Sequence, residues 1–310
     1  MRMAMSMTNI KMGKSKNKFK KQLVFWLFAA PMLIYTLIFK YVPLFGITIA
    51  FKDYKYNLGI WGSDWVGFDN FKVFFNSPDC WRIVRNTLGY NAVFITTGTI
   101  AAIVFALILY EIKKKAFLKT YQTIIMFPNF ISWTIVAYMV YALINPQYGL
   151  LKPILGNTDM YVESGPWKYL LTAANLWKGL GMNCLMYYAS LMSIDDTLIE
   201  ASKIDGANKI LSIWHISLPH ILPLACMLTI LNVGNIFAAD FGLFYQVPMG
   251  SSMLLESTDV IDTYIFRAMK EQANLSMAAA VDFFKSFIGL VCVVGANLIV
   301  RKINPDNSLF

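Results

Sequence analysis

Six long apolar runs alternate with short polar connections along this 310-residue chain. A helix needs about 20 mainly apolar residues to cross a bilayer. Segments 23–50, 86–110, 121–144, 169–192, 221–245 and 277–300 reach that length. The pattern predicts an all-α membrane protein with six transmembrane helices. Pro31 and Pro43 are expected to bend the first span, and Asn232, Asn235 and Asp240 interrupt the fifth. The connection 51–85 is rich in aromatics, Trp61, Trp65 and Trp81 among them. It suits an interfacial helix with belt aromatics, and also a docking surface for an external protein.

Composition agrees. The chain is 57% hydrophobic and 15% charged, whereas a soluble domain has about a quarter of its residues charged. The apolar run behind the Lys-rich first 21 residues is too long for a signal-peptide core and is expected to stay as the first span. Cys80, Cys184, Cys226 and Cys292 show no C-x-x-C spacing, so neither a disulfide framework nor a zinc site is expected.

The formal charge of +9 suggests nucleic acid until its distribution is considered. With a cytoplasmic N-terminus, the inward segments hold fifteen Lys and Arg residues and the longer outward segments nine. From that asymmetry both termini, and the loop 193–219, are expected to be cytoplasmic. No role in nucleic-acid binding is expected.

The loop contains EASKIDGANKILSIWHISLP, residues 200–219. Thr197-Leu-Ile-Glu200 fits a capping box, with Asp195 and Asp196 adding charge near the helix start. A short helix over about 197–205, a break at Gly206 and a second helix over 207–216 are expected, with Pro219 and Pro223 opening the next span. The small residues Ala201, Ser202, Gly206 and Ala207 form a face that a partner can approach closely. His215 and His220 stand five apart, a poor spacing for a metal on a helix, and read as loop residues.

These residues resemble the EAA loop of permease subunits in bacterial ABC importers. The pattern is Glu-Ala-Ala, a Gly four residues later, then Ile-x-Leu-Pro. It is carried here by Glu200, Ala201, Ser202, Gly206, Ile216, Leu218 and Pro219, with Ser202 replacing the second Ala. Asp205-Gly206-Ala207 matches the sugar-importer version. FKYVPLFGITIAFKDY (39–54), WVGFDNFK (65–72), RNTLGY (85–90), FPNFISW (127–133), NLWKGLGMN (175–183) and TYIFRAM (263–269) resemble the polysaccharide/oligosaccharide branch of the maltose-type permeases.

The resemblance implies the type I ABC importer permease fold, divided into a basic cytoplasmic tail (1–22), a first helix with its outer loop (23–84), a five-helix core (85–300) and a C-terminal tail (301–310). It implies a heterodimer with a second permease, two ATP-binding cassette subunits below, and an extracellular solute-binding protein that delivers an oligosaccharide. In that family the loop sits in a cleft of the cytoplasmic ATPase and passes its closure to the transmembrane helices, and the resemblance implies the same here.

The chain carries no motor of its own. A phosphate-cradling loop needs G-x-x-x-x-G-K-[ST] between strand and helix. Gly13-Lys14-Ser15 lies in the basic tail, with Thr8 where the first Gly belongs. No catalytic residue, metal ligand or bound cofactor is expected here, and ATP-Mg is expected on the partner ATPase.

Polar residues inside spans persist where they face a pathway or another helix. Asn175, Lys178, Asn183, Tyr187, Asn232, Asn235 and Asp240 are candidates of that kind. The resemblance points to Asn175, Gly179 and Asn235 for sugar contact. Lys178 would suit a carboxylate on a uronic acid, and Asp282 and Lys285, three apart, would neutralise each other. An importer of a non-sugar solute, an ion-coupled secondary transporter and a membrane-embedded enzyme stay open as rival readings.

Overall fold

A computed structural model describes residues 23, 25–156, 158–303, 305 and 308. The basic tail 1–22 and most of the C-terminal tail lie outside the described residues. Helix α1 (Phe25–Phe51) leads into a two-residue antiparallel hairpin, β1 (Lys52–Asp53) and β2 (Asp64–Trp65), with Lys52 opposite Trp65. Then come α2 (Asp69–Phe75), α3 (Cys80–Tyr110), α4 (Lys115–Met126), α5 (Trp133–Ile144) and α6 (Trp167–Leu191). They are followed by α7 (Asp196–Ile204), α8 (Lys209–Gly234), α9 (Ile261–Lys270) and α10 (Leu275–Ile303).

Among the described residues, α1, α3, α8 and α10 are each long and apolar enough to cross a membrane. The third expected span, 121–144, is not straight. Helices α4 and α5 meet at a 96° bend, because Pro128 opens a 3₁₀ turn (Phe127–Phe130) and Ser132 restarts the helix by accepting the Ile135 amide. Helix α6 has the length to span at 25 residues, but Lys168, Asn175, Lys178 and Asn183 make it less apolar than the other four. The fifth span is displaced toward the N-terminus. It runs continuously over Lys209–Gly234 rather than 221–245, and absorbs the second short helix expected over 207–216.

Prolines explain how these helices continue. A proline ring clashes with the carbonyl four residues earlier, and a π turn widens the helix at that point. The three π turns among the described residues, Leu37–Tyr41, Ile213–Ser217 and Gly242–Gln246, each end two residues before a proline: Pro43, Pro219 and Pro248. Helix α1 is therefore adjusted at Pro43 without a sharp break, and Pro219 lies inside α8 rather than at its start.

Helices α3 and α6 form the principal pair of the bundle. At one end, Ala102, Ala106, Leu109, Cys184, Tyr187, Leu191 and Ile221 pack into one apolar cluster. At the other, Tyr90, Trp167, Leu171, Leu243 and Val260 form a second. The segment 252–274 folds over the Cys80 end of α3. Buried Asp259 pairs with Arg82 and Arg267 at 2.8 Å each, Asn86 donates to the carbonyls of Glu256 and Asp259, and Tyr90 donates to that of Ser257. The RNTLGY and TYIFRAM blocks are thus one structural unit. In the aromatic connection, Phe51 packs on Phe71 and on Phe283 of α10, while Trp61, Trp65 and Trp81 stay exposed.

Candidate functional site

Helix α7 is capped by Asp195, whose carboxylate accepts the Thr197 amide at 2.9 Å. That bond holds the Asp195 carboxyl below its ordinary range. The expected capping box does not form: Thr197 gives its amide to Asp195, and Glu200 is exposed with no side-chain bond among the described residues. The reason is positional. Asp195 stands one residue before the helix with extended backbone (φ −67°, ψ 123°), as a cap requires, whereas Thr197 is already inside it.

The helix ends in a Schellman turn. The Gly206 amide bonds the Lys203 carbonyl and the Ala207 amide the Ser202 carbonyl, with Gly206 at φ +80°. No atom outside its immediate neighbours crowds Gly206, so its left-handed backbone is what calls for glycine. Asn208 then caps α8 by accepting the Leu211 amide.

Ser202 is more than a small residue. Its hydroxyl lies 3.1 Å from that of Ser212, tying the two helices together across the turn, and its side is half-buried rather than open. Ile216 and Leu218 pack into the apolar cluster at this end of the bundle, beside Ile199. They fasten the loop to the spans, whereas Glu200, Ala201, Asp205 and Pro219 remain exposed and Ala207 is half-buried. Lys209 adds a 2.6 Å ion pair to Glu111 beyond the end of α3, and His220 meets Ser193 at 3.0 Å. The hairpin is therefore stiff within itself and joined to α3, α6 and α8.

A second constellation forms where two helix breaks meet. The ammonium of Lys178 donates to the carbonyls of Asn129 at 3.1 Å and Pro128 at 3.4 Å, and also to that of Ile131. It lies 5.2 Å from the centre of the Trp133 ring. Trp133 Nε1 donates to Asp240 at 2.6 Å. The other oxygen of Asp240 accepts the Gly242 amide at 2.8 Å. The break that follows α8 is clamped from both sides: Asn91 donates to the carbonyls of Ile236 and Ala238, and Asp262 accepts the Ala239 amide and pairs with Lys285. Lys285 also pairs with Asp282 at 3.0 Å, as the spacing suggests. Irregular backbone at membrane depth needs such partners.

Gly242 fits this junction because a Cβ there would overlap the Trp133 indole. Gly242→Ala is expected to push the ring off Asp240 and lower stability by about 1–3 kcal/mol. Thermal unfolding of the purified chain in detergent checks this; an unchanged midpoint would refute the close packing.

The structure divides the remaining path candidates. Asn175, Gly179 and Asn183 are half-buried and follow one another at four-residue intervals on α6. Asn232 and Asn235 are exposed at the end of α8, where the Asn235 amide group donates back to Leu231. Tyr187 turns into the apolar cluster and is 2% exposed, so it faces the core rather than an open path. Lys178 and Asp240 are engaged by the helix breaks. Sequence reasoning missed Gly242, Asp262, Ser212 and the Lys209–Glu111 pair. FPNFIS, with its proline and its capping serine, did carry a legible signal for the first break.

The chain thus combines helices long and apolar enough to cross a membrane, two clamped helix breaks and a polar hairpin at one end. Residues 94–306 match the family described as binding-protein-dependent transport system inner membrane component. Protein LplB of Bacillus subtilis is 34% identical over 286 residues, covering 91% of this chain and 89% of that protein. The polygalacturonan/rhamnogalacturonan transport system permease protein YteP of the same organism is 33% identical over 93% and 91% of the two chains. A bacterial alginate ABC transporter, solved in complex with an alginate pentasaccharide-bound periplasmic protein, contains a chain that superposes with a TM-score of 0.82. It is 30% identical over 93% of this chain and 97% of its own length. The chain belongs to the binding-protein-dependent transport system inner-membrane component family, and its fold is that of an ABC importer permease.

Proposed function

We propose that this chain is one of two permease subunits of an ATP-driven importer that takes up an oligosaccharide handed over by an extracellular solute-binding protein. One observation carries the reading most. The hairpin 195–219 keeps Glu200 and Asp205 free and exposed while Ile216 and Leu218 are embedded in the bundle. That is the build of a lever, with a grip at one end and an anchor at the other. A partner ATPase holds ATP-Mg and grips the α7 side, and its closure moves α8 and, through Glu111, α3. The breaks beside Trp133 and Asp240 supply bends at which spans can turn.

The N- and C-termini are cytoplasmic in this reading. The bias of Lys and Arg supports it, as does the Lys209–Glu111 pair, which places the α3 end and the α8 start on one side. The apolar surface of α1, exposed or half-buried along residues 25–49, suits lipid and the second permease. Asn175, Gly179, Asn232 and Asn235 offer amides and backbone to sugar hydroxyls. The polygalacturonan and alginate of the relatives point to a carbohydrate built of uronic acids.

Purification from native membranes in mild detergent tests the assembly. A second permease, an ATPase and a solute-binding protein are expected to copurify. Recovery of the chain alone, with uptake independent of ATP, would overturn the reading.

A further inference from the structure

We propose that the cleft between α3 and α6 receives a uronic-acid residue of the cargo, with Arg85 and Lys168 binding its carboxylate. The inference rests on the transport reading and adds a site to it. The cleft is open on one side and has a volume of about 570 Å³, within the range of roughly 300–1,000 Å³ common to small-molecule sites. Its α3 wall is the stripe Arg85, Gly89, Val93 and Thr97, and its α6 wall carries Lys168, Thr172 and Leu176.

The charge is the telling feature. Arg82, one turn from Arg85, is held by Asp79 and Asp259, and Arg267 and Lys285 likewise have acidic partners. Arg85 and Lys168 line the same cleft with no ion pair among the described residues, and no acidic residue lines it. Asn86 and Tyr90 also line it, but their donors are already given to the carbonyls of 256–259. The cations are thus its free donors, above a wall of Tyr90, Tyr169, Val93 and Leu176 that suits the C–H face of a sugar ring.

The cleft also points the right way. On a helix, positions seven and eleven residues apart share a face. Gly179 and Asn183 therefore continue the stripe of Thr172 further along α6. An acidic sugar entering between Arg85 and Lys168 meets those positions next. Lys178, which composition alone would nominate for a carboxylate, is instead fixed on the carbonyls of the α4–α5 bend.

The test uses the assembled transporter with its binding protein in vesicles. Its probes are trigalacturonate and fully methyl-esterified trigalacturonate. The wild type is expected to take up the acid in preference to the ester. Arg85→Gln with Lys168→Gln is expected to raise KM for the acid by about tenfold or more and erase the preference. The charge-conserving pair Arg85→Lys with Lys168→Arg is expected to keep most of it. Preference retained in the glutamine variant, or absent from the wild type, overturns the assignment of the cleft while ATP-driven uptake still supports the transport reading. ATP-independent uptake by the wild type overturns the transport reading itself. Vesicles of phosphatidylcholine alone and of phosphatidylcholine with phosphatidylglycerol separate a lipid site. A variant effect seen only with phosphatidylglycerol assigns the two cations to a lipid headgroup and also overturns the proposal.

Discussion

Replacing Glu200 with alanine is expected to cut ATP-driven uptake at least about tenfold while the chain accumulates in the membrane at its normal level. The two halves of that outcome have separate physical causes. Stability is spared because Asp195, not Glu200, caps α7, and among the described residues the Glu200 side chain makes no bond that its loss would break. Alanine also has a high helix propensity. Transport falls because an exposed carboxylate in a docked helix is positioned for charge-assisted bonds to a partner, worth about 1.5–3 kcal/mol each. Parallel measurements of uptake and membrane abundance check it. A chain that is lost from the membrane would make Glu200 a structural residue, and normal uptake would remove it from the coupling contact. Gly206→Val is the contrasting change: it strains a backbone at φ +80° and is expected to lower both abundance and uptake.

Lys178→Met is expected to lower the stability of the purified chain by about 1–3 kcal/mol. The ammonium satisfies carbonyls of Pro128, Asn129 and Ile131 at the end of a helix, where its charge also suits the macrodipole. Methionine fills similar space and lies on Trp133 as well, but it donates nothing, so the half-buried carbonyls of Asn129 and Ile131 lose this donor while that of Pro128 keeps the Ile131 amide. The midpoint of thermal unfolding in detergent should fall clearly. Asn175→Ala, on the same helix but with no comparable partners, serves as the control and is expected to change it little. Equal midpoints for Lys178→Met and the wild type would mean that the bend does not depend on this lysine.

The spans and the loop were legible because each has a strong local signature: length and apolarity for the helices, and Glu-Ala-Ser, Gly206 and Leu218-Pro219 for the hairpin. The capping detail was misread at Thr197 because Asp195, two residues earlier, competes for the same role, and only backbone geometry decides between them. Helix α8 ran on through Pro219 because a π turn relieves the clash that a sequence reading treats as a helix start. Lys178 and Asp240 looked like pathway residues because polarity within a span is visible in the chain. Their partners, the broken backbone at 127–132 and the indole of Trp133, are separated from them by 47 to 107 positions. Long-range satisfaction of that kind leaves no local trace.

The most direct test of the coupling account is cross-linking from the loop. A Glu200→Cys chain, with Cys80, Cys184, Cys226 and Cys292 replaced by alanine, would be assembled in inside-out vesicles and treated with a short bifunctional thiol reagent. The account predicts a covalent adduct with the ATPase subunit, formed from the cytoplasmic face and altered in yield by ATP. An adduct with the extracellular binding protein, or a thiol reached only from the outer face, would contradict it.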